Sequence, residues 1–84
     1  MLERMVLMKT NVRILIFIQN YIDVNGWPPS IREIGEGVEL RSTSTVWGHL
    51  QRLIDKGLIE KSPRENRALK ITEAGIEFLG KLNA

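Results

Sequence analysis

The chain has 84 residues, of which 43% are hydrophobic and 26% charged. That composition fits one ordinary globular domain with a single small core and excludes both a disordered tail and an enzyme fused to a binding module. No apolar run approaches the roughly 18 to 20 residues that cross a bilayer, and the absence of cysteine excludes disulfides and thiolate metal sites and fits a reducing, cytoplasmic compartment.

The net charge is only +2, but seven basic residues face three acidic ones between Arg41 and Lys70, while the remainder carries an acidic excess of two. A basic half beside an acidic half suits an oriented encounter with a polyanion.

Residues 1–9, apolar at Leu2, Met5, Val6 and Met8, read as a short helical extension or a frayed tail, too short and too charged for a secretory signal. Thr10 or Asn11 caps a first long helix whose inward stripe is Ile14, Leu15, Ile18 and Ile22, with Gly26 as its stop. Ile16, Phe17, Tyr21 and Val24 exceed what one stripe holds. Either a terminal segment covers them or they offer a partner surface, most simply to a second copy of the chain.

Trp27 precedes Pro28 and Pro29 and reads as a core or staple residue. The prolines force an extended connection into a helix start where a phosphate can sit. Ser30 and Glu33 form a capping box there, and Ile31, Ile34 and Val38 place one apolar stripe on a helix too short to survive alone.

Glu39 to Arg41 breaks the period. Ser42 then caps a further helix with Val46, Leu50, Leu53 and Ile54 inward and Gly57 as its stop. At about 100° per residue, Ser44, Thr45, Gly48, Gln51 and Arg52 turn outward. Small hydroxyl side chains let a helix approach base edges closely, so this face suits a DNA major groove better than the alternating Glu and Lys of a solvated face.

Leu58 to Lys61 and Ala68 to Ile71 read as two short strands, with Leu69 and Ile71 on one face, joined by a tip from Ser62 to Asn66. Thr72 caps a last helix over 73–82 with Ile76, Leu79 and Leu82 apolar, weakened by Gly75 and Gly80.

The run from Gly26 to Ile59, GWPPSIREIGEGVELRSTSTVWGHLQRLIDKGLI, followed by Arg67-Ala68-Leu69-Lys70-Ile71, resembles the N-terminal DNA-binding domain of LexA-type repressors. That family has G-x-P-P-S-x-R-E-I-G, then S-x-S-T-V-x-x-H-L-x-x-L-x-x-K-G-x-I, then a wing ending R-A-[IL]-x-[IL]. The ordered set spans roughly half of the chain. Separately, the string ITEAG resembles the strand-to-helix exit of MarR-like and other winged-helix regulators, where the following helix often makes a dimer contact.

The resemblance implies a mainly α fold with a small β-hairpin: a winged helix-turn-helix with a three-helix core over 10–71, a two-stranded wing, and an extra C-terminal helix over 72–84. It implies a double-stranded DNA partner, a transcriptional regulator, more specifically a repressor, acting as a homodimer on an inverted repeat, and neither cofactor nor metal. The base-facing set it implies is Ser42, Ser44, Thr45, Trp47 and Gly48. Backbone contacts are Ser30, Arg41, Arg52, Lys61, Arg64 and Arg67, of which Ser30 and Arg67 lie on the family pattern itself. Ile16, Val24, Ile76 and Leu79 are the candidate dimer contacts.

Two positions depart from the pattern. Glu39 stands where the family usually has glycine, so either a left-handed conformation there is strained by about 1 kcal/mol or the turn differs slightly. Trp47, where the family varies, either meets a thymine methyl or sugar edge or packs beneath the wing. LexA repressors continue into a linker, a scissile Ala-Gly and a serine-lysine peptidase domain; Ala74-Gly75 lies inside a predicted helix, so self-cleavage is not expected. The apolar last helix favours a stand-alone regulator over a fragment.

Two other readings are weighed. A protein-interaction module would bind another regulator through the surplus apolar face of the first helix. An enzyme finds little support in one histidine and no clustered carboxylates. His49 matches the family pattern and reads as structural or phosphate-neighbouring, and Glu33 with Glu36 as capping and solvation rather than a metal site.

Overall fold

The computed structural model describes residues 9–61 and 69–82. Its elements run α1 (Thr10–Asn25), α2 (Ile31–Gly37), α3 (Thr43–Asp55), β1 (Ile59–Lys61), β2 (Leu69–Ile71) and α4 (Glu73–Leu82). α1 packs against α2 and α3, α3 against α2 and β1, and α4 against β2. This is a three-helix core closed by an antiparallel hairpin, a winged helix-turn-helix.

The core forms where the apolar periods predict it. Ile14, Leu15 and Ile18 of α1, Ile34 of α2, and Val46, Leu50 and Leu53 of α3 are buried, joined by Ile59, Leu69 and Ile71 from the hairpin and Leu79 from α4. Ile59 pairs with Ile71 and Lys61 with Leu69, so alternation turns the apolar set of both strands inward.

The helix ends follow local chemistry. Gly26 closes α1 at φ 85. At α2 the Ser30 hydroxyl accepts the Glu33 amide at 3.1 Å, and the Glu33 carboxylate accepts the Ser30 amide at 2.9 Å. Thr72 caps α4: its Oγ1 accepts the Gly75 amide at 3.0 Å and donates to the Gly57 carbonyl at 2.6 Å. Gly75 serves packing, since a Cβ there would run into the Leu58 carbonyl and stand 2.7 Å from Ile71 Cγ2.

Two expectations are corrected. α1 already includes Thr10 and Asn11, and its N-cap is Lys9 with no side-chain cap; Asn11 Oδ1 instead accepts the neighbouring Val12 amide at 3.1 Å. Trp27 is neither core nor staple but 54% exposed. The staple positions flanking the Ser30 cap are N′ and N4, and these belong to Pro29 and Ile34, both buried.

The surplus apolar face of α1 is covered in large part by α2. The Phe17 ring occupies the space beside Gly37, where no Cβ would fit, and the Tyr21 hydroxyl donates to Glu33 Oε2 at 2.6 Å. Ile16 is half-buried against the core, while Val24 stays 82% exposed.

Candidate nucleic-acid interface

The interface is built on α3, which is set in place at both ends. Ser42 Oγ accepts the Thr45 amide at 3.4 Å, a long cap bond, and Val46, Leu50 and Leu53 fasten the inner stripe. The other side is bare: Ser42, Thr43, Ser44, Thr45, Gly48, Gln51 and Arg52 are all exposed. At Gly48 a Cβ would find nothing within 4 Å, so the middle of the row is open to an approaching surface.

The approach to α3 depends on α2. Leu40 donates its amide to the Gly35 carbonyl at 2.7 Å and Glu39 to Glu36 at 3.4 Å, a pairing that closes α2 with Glu39 in the left-handed region at φ 61. The expected strain is therefore present. Gly35 admits the turn, because a Cβ there would lie 2.8 Å from the Leu40 carbonyl oxygen.

Cations surround the row. Arg41, Arg52, Lys56 and Lys61 are exposed, and Lys61 Nζ stands 4.1 Å from the centroid of the Trp47 ring. Trp47 itself is half-buried and packs against the core. Arg64, Arg67 and Pro63 lie outside the described residues. Asp55, an anion at the far end of the row, accepts a hydrogen bond from Gln51 Nε2 at 2.9 Å, which engages a glutamine that would otherwise be a candidate reader of adenine.

Ser30 is half-buried, with its oxygen engaged in the capping box; its hydroxyl proton remains the group that can be offered to a phosphate. The box satisfies two of the four unpaired amides at the start of α2, and the Glu33 carboxylate occupies part of the space a phosphate would use. His49 is half-buried on α3 with Nδ1 enclosed and without a hydrogen-bond partner among the described residues. Among the described residues no group of three or more His, Cys, Asp or Glu could hold a metal ion, and no helix is long and apolar enough to cross a membrane.

Of the four candidate dimer contacts, Val24 and Ile76 are exposed, Ile16 is half-buried and Leu79 is turned into this chain's own core. Packing beneath the wing is one of the two sequence readings of Trp47; sequence reasoning missed that Lys61 would be its partner there, and missed the hydrogen bonds Tyr21–Glu33 and Gln51–Asp55. The last had a signal, an i, i+4 pair on one helix face; the other two depend on how separate elements meet.

The LexA DNA binding domain family matches residues 6–68. The chain belongs to that family. Its relatives include the LexA repressor of Limosilactobacillus fermentum, 54% identical over 67 residues, which are 80% of this chain and 32% of that repressor. The LexA repressor of Lactiplantibacillus plantarum is 52% identical over the same shares, and that of Enterococcus faecalis 46% identical over 82% of this chain and 33% of its own length. The chain thus spans about a third of the length of these repressors. The LexA family match runs through α1, α2, α3 and β1 and ends before β2 and α4.

Proposed function

We propose that this chain is a sequence-specific binder of double-stranded DNA that represses transcription, with α3 in the major groove and the hairpin against the neighbouring backbone. Two copies bind an inverted repeat, using the exposed Val24 and Ile76 where they meet. The reading assigns base contacts to Ser42, Ser44, Thr45 and Gly48, backbone contacts to Ser30, Arg41, Arg52 and Lys61, and no catalytic step to any residue.

The observation that supports it is the bare row of small side chains on α3, with cations on either side and nothing of the described chain laid across it. Hydroxyls discriminate less sharply than an Arg bidentate to guanine, so the Thr45 methyl and DNA shape supply part of the specificity. The protein-docking alternative has lost most of its surface. Phe17 and Tyr21 are engaged with α2, and Val24 with Trp27 at one end of α1 is less than a face.

The test is selection of bound sequences from random duplexes at a stated salt concentration. An enriched inverted repeat is expected; recovery of no preferred sequence would overturn the reading. On the selected site, Arg52→Ala weakens binding to all duplexes and lowers the slope of log K against log salt by about one. Ser44→Ala or Thr45→Ala redistributes preference among sites instead.

A further inference from the structure

Trp47 lies on α3 between the buried stripe and the bare row, about 60° from Ser44 and on the flank opposite Thr45 and Arg52 at about 100° per residue. Lys61 comes to that flank from β1. Along this strand Ile59 is buried and Glu60 and Lys61 are exposed, and the two-residue period puts Lys61 on the face of Ile59, toward the body of the domain. Its ladder partner Leu69 is buried. A lysine on that face can lay its stem over apolar surface while its ammonium stays in water. The indole of Trp47 supplies that surface, and its electron-rich face attracts the charge, with Nζ 4.1 Å from the ring centroid.

We propose that Trp47 is a positioning residue for a phosphate contact and not a reader of bases. Its ring fixes the Lys61 ammonium beside α3, so that the hairpin and α3 meet the duplex as one unit, Lys61 on one flank of the bare row and Arg52 on the other. The inference rests on the DNA-binding reading above. It replaces the assignment of Trp47 to base edges: a half-buried ring already stacked under a cation has little face left for a thymine methyl. A lysine held in place before binding also loses less side-chain freedom on contact with a phosphate.

The experiment compares the wild-type chain with Trp47→Leu, Trp47→Phe, Lys61→Met and the Leu/Met double variant. Two measurements are made. One is the proton chemical shift of the Lys61 side chain in the free protein. The other is equilibrium binding across a salt series to a fluorescein-labelled duplex, the highest-ranked sequence from the random selection, and to a scrambled duplex of the same composition.

In the free wild type the Lys61 methylene protons are shifted upfield by the ring; Trp47→Leu abolishes the shift and Trp47→Phe keeps most of it. Lys61→Met weakens binding to both duplexes and lowers the salt slope by about one. Trp47→Leu weakens both about two- to fivefold, leaves the ranking of selected sequences unchanged, and adds less than about twofold to Lys61→Met.

An unshifted Lys61 in the wild type, full additivity of the two substitutions, or a changed base preference in Trp47→Leu would each overturn the proposal. Should Trp47→Leu not fold, Trp47→Phe and Lys61→Met carry the test, and an unaltered salt slope in Lys61→Met is decisive against it. A wild-type chain that binds neither duplex, with the upfield shift intact, removes the DNA reading and the phosphate role together while leaving the ring contact standing. The two failures are therefore told apart.

Discussion

At the exit of α3 the Leu58 amide reaches the Leu53 carbonyl at 3.0 Å and the Gly57 amide reaches Ile54 at 2.9 Å; at the exit of α2 Leu40 reaches Gly35 at 2.7 Å and Glu39 reaches Glu36 at 3.4 Å. The pairing is the same at both turns, with a left-handed residue between the two bonds, at φ 74 for Gly57 and φ 61 for Glu39. Glycine holds that conformation without steric cost, whereas glutamate is strained by about 1–2 kcal/mol. The longest of the four bonds belongs to the strained residue. Its turn persists because the residues around it are anchored: Val38 is buried, and Leu40 packs on the core while making the shortest bond. The difference teaches that neighbours anchor both turns, Thr72 holding the Gly57 carbonyl at the exit of α3, but that only the turn which aims α3 must also carry a strained residue.

The largest effect should come from attacking those neighbours. Gly35→Val places side-chain atoms against the Leu40 carbonyl oxygen, 2.8 Å from where a Cβ would stand, and should destabilise the domain by about 3 kcal/mol in urea unfolding. DNA affinity should fall with it, since the α2–α3 angle must open. Unchanged stability would mean that the turn is not anchored there.

Gly57→Ala tests the opposite turn. Open space surrounds this position, so the loss should be the backbone term alone, about 1–2 kcal/mol, and a loss as large as that of Gly35→Val would contradict the contrast. The smallest effect is a gain. Glu39→Gly should relieve the strain by about 1 kcal/mol and raise the melting temperature by about 4–8 °C. A lower melting temperature would show that Glu39 makes a contact worth more than its strain.

Much of the site was legible because its signals are local. The Ser30 box, the Thr72 cap, the stops at Gly26 and Gly57 and the left-handed strain at Glu39 each depend on residues within a few positions. So does the outward row from Ser44 to Arg52, a matter of helical period alone. The exposed Trp27 was misread because an apolar residue near a cap suggests a staple, while proline can occupy the staple position itself. Phe17 beside Gly37 and Tyr21 on Glu33 could not be read from α1, because periodicity says that a second face exists and not which element will cover it.

By itself the amino-acid order determined the helices, their ends apart from the start of α1, the inward stripes, the paired strands and the bare side of α3, since capping, backbone preference and side-chain period act over a few residues. Tertiary structure alone decided that α2 would cover the surplus face of α1, that Leu79 would turn inward and that Lys61 would come to rest on Trp47. Those contacts depend on crossing angles between elements distant along the chain. Such angles are settled by the packing of the whole core, and no short stretch of residues carries them.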